Sequence, residues 1–137
     1  MSTAFIAVLL PALLVLAGLA IDGGQVLVVR RETQALADGA ARAGAAEIDE
    51  AAARIDPSVP IVLDPAQAAA AATAYIAEVA PTAQIVVTQV DSTHIAVRVT
   101  SAPVHITLLQ LAWVGPTVRV QASGTAEPRT GITAPGQ

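Results

Sequence analysis

Cysteine and lysine are both absent from this 137-residue chain, and Phe, Tyr and Trp occur once each. Without cysteine there are no disulfides and no thiolate zinc sites. The near-absence of aromatics removes the side chains that usually supply bulk to a soluble core. Charged residues are 13% of the chain, about half the usual share. The net charge is -4 and all seven basic residues are Arg, which argues against a nucleic-acid reader, since such a protein needs a basic patch. Part of the apolar content is therefore expected to face lipid or partner subunits rather than a private core.

What the chain has in quantity is a long apolar opening. From Ala4 to Ile21 no residue is charged. As a helix this run is roughly 27 Å long, close to the roughly 30 Å hydrocarbon layer of a bilayer. Continuing to Val29 adds only one charge, Asp22. A secretory signal peptide would carry a basic n-region and a shorter apolar stretch. No basic residue precedes this run, and its length is that of a span, although "AGLA" at 17–20 has the small residues of a cleavage site and keeps a secreted chain with its amino-terminal helix removed as a rival reading. Pro11 predicts a kink or a local tight turn. Asp22 has two readings. It marks the exit from lipid, or it pairs with a cation in an assembly, such as the amino terminus of a neighbouring subunit. Gly23 and Gly24 break the helix there or let another backbone come close.

Beyond Arg30 and Arg31 the pattern stays helical. Val26, Val29, Thr33, Leu36, Ala40, Ala43 and Ile48 form a narrow stripe at 3–4 spacing, and Ala40, Ala43 and Gly44 allow close helix approach. Pro57 and Pro60 end it. A helix from about residue 4 to 54 would be roughly 75 Å long, half in lipid and half out. An extended linker follows over 56–63. Then "DPAQAAAAATAYIAEVAP" reads as a helix, with Asp64 as N-cap, Pro65 at the first position and Pro81 as the stop. Ala68, Ala72, Tyr75, Ile76 and Val79 form its apolar face. After Pro81 the period becomes two. "QIVVTQV" and "HIAVRVT" are β-branched strands joined through "DST". "TVRVQASGTA" alternates again, with Val118, Val120 and Ala122 on one face. The intervening "PVHITLLQLAWVGP" fits a strand, a short helix, or both in turn.

The opening stretch resembles the amino-terminal signature of TadE/TadG-like proteins of tight-adherence (Flp-type) pilus systems in bacteria. The resemblance rests on Gly18, Asp22 and Gly24 at the end of the span, then Arg30, Arg31, Gln34, Ala37, Asp38, Ala40 and Ala41. It covers about 40 residues. It implies a single-pass membrane protein with its head outside the cytoplasm, or carried into an extracellular pilus. The arginines after the span would by themselves place that side in the cytoplasm. The acidic Glu32, Asp38, Glu47 and Asp49 beside them, and a folded head with no evident cytoplasmic task, favour the orientation the resemblance implies.

The expected fold is α+β: a long amino-terminal transmembrane, pilin-like helix, then a small head of one helix packed on a three- to four-stranded antiparallel sheet. The expected parts are an anchor at 1–29, an extramembrane amphipathic continuation at 30–55, the head at 56–127 and a flexible tail at 128–137. The expected role is structural and non-catalytic, a pilin-like or minor-pilin-like subunit assembling through its amino-terminal helix with lipid and other pilus subunits, as a homo- or hetero-oligomer in a filament. The alternative is a membrane-anchored extracytoplasmic binding module. The expected assembly or helix-interface residues are Gly18, Asp22, Gly24, Gln34, Asp38, Ala40 and Gly44. Leu108, Leu111 and Trp113 lie in the largest apolar cluster outside the span, which reads as core or, alternatively, as a candidate partner patch, since Trp is favoured at interfaces. No cofactor and no nucleic-acid partner are expected. His94 and His105 match no compact metal-ligand spacing. "DSTH" at 91–94 reads as a turn rather than a hydrolase triad. Glu47, Asp49 and Glu50 read as a solvated helix end rather than a calcium loop.

Overall fold

The computed structural model describes residues 2–48, 62–106 and 117–128. The apolar run and the alanine-rich segment form one helix, α1 (Ser2–Ala45). Its 44 residues make a rod about 66 Å long. Pro11 and the Gly23–Gly24 pair both lie inside it without interrupting it. The helix stops earlier than its sequence pattern indicates. Ala46 N–H reaches the carbonyls of Arg42 at 3.1 Å and Ala43 at 3.3 Å, and Glu47 N–H reaches Gly44 at 3.1 Å. This tightening is the usual way a last turn satisfies its free carbonyls. Ile48, expected on the helical stripe, instead forms an antiparallel bridge with Leu63. Asp64 N–H donates to Glu47 O at 3.1 Å. Residues 46–48 therefore already belong to the head, and the remainder of the expected 30–55 helix lies outside the described residues.

The second helix, α2 (Pro65–Val79), has the signposts its sequence carries. The Asp64 carboxylate accepts from the backbone N–H of Ala66 at 2.9 Å and of Gln67 at 3.1 Å. It also accepts from the Gln67 amide at 2.9 Å. Pro65 sits at the first turn, where a missing N–H costs nothing. Ala68, Ala72 and Ile76 are buried, and Tyr75 is half-buried. Val79, expected on the same face, is exposed in the last turn.

The strands are β1 (Gln84–Val90), β2 (Ile95–Thr100), β3 (Val104–His105), β4 (Thr117–Val118) and β5 (Gln121–Ala126). β1, β2 and β5 form an antiparallel sheet with β2 central, and β3 pairs with β4 separately. The single alternating strand expected at 117–126 is thus divided. Pro103 has no N–H to extend the β2 ladder. Ser101 takes over at that point, its N–H bonding Val120 O at 2.8 Å and its Oγ accepting from Val120 N–H at 3.0 Å.

In β1 the register shifts between Val87 and Gln89. This bulge leaves Thr88 outside the ladder, and its Oγ1 donates to Ala96 O at 3.0 Å. One extra residue flips the alternation. Ile85, Val87 and Val90 consequently all turn toward the core, where strict alternation would have turned Gln89 in instead.

Ile95, Val97 and Val99 on one face of β2 are fully buried. They cluster with Ala37, Ala40, Ala41 and Ala45 of α1 and with Ala68, Ala72 and Ile76 of α2. Both helices therefore cover the same face of the sheet, in two layers. Ala96, Arg98 and Thr100 lie on the other face.

Candidate functional site: the stem and the helix–head junction

Along α1 the side chains change character. From Phe5 to Val28 large apolar residues are exposed, including Phe5, Leu14, Leu19, Ile21, Leu27 and Val28. The helix is long and apolar enough to cross a membrane. Exposed large apolar side chains on this scale are what lipid or a partner helix covers. The exposed pair Arg30 and Arg31 then closes the apolar surface.

One line on the helix is different throughout. Gly18, Asp22, Thr33, Ala37, Ala40 and Gly44 are buried, at three- or four-residue steps apart from the Asp22–Thr33 interval, which half-buried Val26 and Val29 bridge. The seam thus runs far down the stem, well below the head helix. Asp22 is only 2% exposed. Thr33 is 1% exposed, and its hydroxyl donates to Val29 O at 2.7 Å, which satisfies the buried oxygen within its own helix.

At the head the seam becomes a close helix–sheet contact. Gln34 Nε2 donates to Ser123 O on the edge strand β5 and to Asp38 Oδ1, both at 3.0 Å. Ala40 is fully buried. A methyl group at Gly44 would meet the Ala68 carbonyl oxygen at 2.8 Å and Ile95 Cδ1 at 2.6 Å. Gln34, Asp38, Ala40 and Gly44 are therefore used by the chain itself to seat its head on its own helix. Gly24 differs, because nothing lies within 4 Å of a methyl group placed there. Leu108, Leu111 and Trp113 lie outside the described residues.

The structure also contains contacts that the sequence pattern did not single out. A methyl group at Gly124 would run into the backbone of Ala37 and come within 2.9 Å of Asp38 N. Gly39 lies under the Tyr75 ring, with Tyr75 Cζ 2.7 Å from where a methyl would sit. The signal for Gly124 was present as a glycine inside an alternating strand, which marks close backbone approach. Beside this contact runs a groove of about 260 Å³ lined by Arg30, Gln34, Arg98, Gln121, Ala122 and Ser123.

The histidine–carboxylate pair at 91–94 closes the β1–β2 hairpin. Asp91 Oδ1 accepts from Thr93 N–H at 2.8 Å, Thr93 Oγ1 at 2.7 Å and His94 N–H at 2.9 Å. Its Oδ2 lies 2.9 Å from His94 Nδ1. The hydrogen bonds from Thr93, then those from His94, hold the Asp91 carboxyl down at about 2. The turn expected for "DSTH" is thus what forms. Asp64 is also held below the usual carboxylate range, chiefly by hydrogen bonds from Gln67. Among the described residues no three His, Cys, Asp or Glu side chains converge on a common point.

Residues 1–47 match the TadE/G-like Flp pilus-assembly family. No curated protein and no solved structure matches the chain. The TadE/G-like match takes in all of α1 and stops two residues past its end. It therefore includes both the apolar stem and the alanine-lined segment that holds the head. The strands and α2 lie beyond it.

Proposed function

We propose that this chain is a membrane-anchored, non-catalytic subunit of a bacterial tight-adherence pilus system, of minor-pilin type. The observation that carries this is the continuity of α1. One unbroken helix presents apolar side chains outward from Phe5 to Val28, binds the head from Gln34 onward, and coincides with the TadE/G-like match. Such a helix anchors the subunit in lipid and presents the same surface to neighbouring helices when subunits gather into a filament. Without a hydrophobic drive between helices in lipid, small residues that allow close packing take on that role. Gly24, with open space beside it, is the position assigned to that contact. Asp22, for which pairing across subunits is one of two sequence readings, is buried within its own chain. It is assigned here to the internal seam instead. The head then faces away from the cytoplasm as the exposed part of the subunit.

Two measurements test this. Membrane fractionation with protease access to intact cells should show an integral protein whose head is cut from outside. Replacing Gly24 with Leu should leave insertion and head folding intact while reducing pili on the cell surface. Normal piliation in Gly24→Leu would remove the helix-packing assignment, and a freely soluble chain would remove the anchor.

A further inference from the structure

The stem–head junction carries a cationic groove, and its position relative to the apolar surface suggests a ligand. Arg30 projects from α1 and Arg98 from the outer face of β2. Arg98 stands directly opposite Ser123 in the sheet register. Gln34 lines the same groove and is held there by its bond to Ser123 O. Gln121 completes the lining. All these side chains except that of Ala122 are polar hydrogen-bonding groups, and two carry full positive charge. Neither guanidinium is engaged by a carboxylate among the described residues. Asp38, the nearest acid along the helix, bonds the Gln34 amide and does not line the groove.

The depth of the groove follows from the helix. The last large exposed apolar side chain of α1 is Val28, two residues before Arg30, which is about 3 Å along the axis. The Cα–Cβ bond of Arg30 tilts toward the amino-terminal, apolar end of α1. Arg30 therefore stands at the boundary between the apolar stem and the head, which is the headgroup level if the stem spans lipid. Two arginines at that level, one from the stem and one from the head, suit a phosphate, because the guanidinium fork binds phosphate oxygens in pairs. A phosphate ester could come from a lipid or from solution. The placement at the end of the apolar surface favours the lipid.

We infer that the groove between Arg30 and Arg98 binds the phosphate of an anionic lipid headgroup and so clamps the head onto the membrane surface. This rests on the reading of α1 as a membrane anchor. The clamp fixes the tilt of the head relative to the bilayer, because one ligand bridges the helix and the sheet.

The test uses the full chain in non-ionic detergent, titrated separately with short-chain phosphatidylglycerol, phosphatidylcholine and inorganic phosphate. Binding is followed through the Gln34 side-chain amide and the Arg98 Nε resonances. Phosphatidylglycerol should bind at least about tenfold tighter than either of the others. Arg98→Gln and, independently, Arg30→Gln should each weaken it by about tenfold. Arg119→Gln, outside the groove, should leave it unchanged. Hydrogen exchange of the β2 amides verifies that the variants are folded. Flotation of the wild-type chain with phosphatidylcholine vesicles after an alkaline wash tests the anchor separately. A chain that floats but shows no preference for phosphatidylglycerol overturns the groove and leaves the anchor standing. Inorganic phosphate binding as tightly as phosphatidylglycerol overturns the lipid assignment. A chain that does not float overturns the anchor, and the lipid source with it.

Discussion

Adding a single methyl group to β5 should disrupt the head more than its size suggests. At Gly124 an added Cβ would lie 2.5 Å from Ala37 C and 2.9 Å from Asp38 N, and would also run into Ala37 O. All three are backbone atoms of α1, which cannot rotate away. The shortfall against ordinary contact is about 1 Å, so helix and sheet must separate by that amount, and a gap of this size already forfeits a quarter to a half of the contact energy along a seam. Overpacking a core commonly costs about 1–3 kcal/mol, and the rigid partners here place Gly124→Ala at about 3. For a head of this size that corresponds to a fall in Tm of about 12–24 °C. Thermal unfolding of the full chain in detergent, followed by the signal of the sheet, reads this directly. The other glycines act as internal controls. Gly44→Ala meets one backbone oxygen and one movable Ile95 methyl, so a loss of about 1–2 kcal/mol is expected after its gain in helix propensity. Gly39→Ala meets only the outer end of the Tyr75 ring and should be near neutral. Gly23→Ala and Gly24→Ala meet nothing and should stabilise the helix by roughly 0.5–1 kcal/mol. If Gly124→Ala melts within 2 °C (about 0.5 kcal/mol or less) of the wild type, the close helix–sheet seam does not exist as described.

Three further outcomes are expected. Ile95→Ala empties a fully buried position between both helices and should cost about 2–5 kcal/mol in denaturant titrations; a change under 1 kcal/mol (roughly a fifth of the larger figure) would contradict that burial. Gln34→Leu leaves the Ser123 carbonyl without its amide donor and should lower stability by roughly 0.5–1.5 kcal/mol, with faster exchange in β5 than in β1. The Asp91 carboxyl is held at about 2, below its value of about 3.8 in the unfolded chain. A depressed acid stabilises the fold above its unfolded pKa, and that contribution is lost as pH falls from near 4 toward 2. Asp91→Asn should therefore flatten the acid limb of a Tm-against-pH curve, and an unchanged limb would show that the turn does not hold the charge.

Much of this architecture was legible in the residues. The Asp64–Pro65 start of α2, its Pro81 stop, the limits of β1 and the inward set Ile95, Val97 and Val99 all follow from local chemistry that the fold leaves intact. What escaped was set by contacts distant in sequence. The end of α1 at Ala45 is decided by Leu63 and Asp64, which draw Ile48 and Glu47 into backbone pairing, and an alanine-rich run gives no local sign of that. The bulge at Thr88 could have been inferred, since Ile85, Val87 and Val90 share no strict alternation. The division of β4 from β5 depends on the Ser101 hydroxyl reaching Val120 across nineteen residues. The motif at 18–44 was legible as a helix interface, but not which surface it would meet. From Gln34 onward that surface is the chain's own sheet.

The scarcity of aromatics now has a physical explanation, and it is only partly the one composition suggested. A private core does exist, but its α1 side is buried alanine, and its bulk comes mainly from β-branched residues on the sheet together with Ile76 of α2. Small side chains on α1 are what allow β5 to approach until Gly124 rests on the Ala37 backbone; a Leu or Phe at 37, 40 or 41 would hold the layers apart. The larger apolar side chains are placed instead on the exposed stem, up to Val28. Side-chain size thus changes along one helix, bulky on the exposed stem and small where the head seats. Because the helix is continuous through the change, any rotation of the stem must turn the head with it. That mechanical coupling is the property a filament subunit needs, and an independently tethered binding module would be better served by a flexible joint where Gly23 and Gly24 instead remain helical.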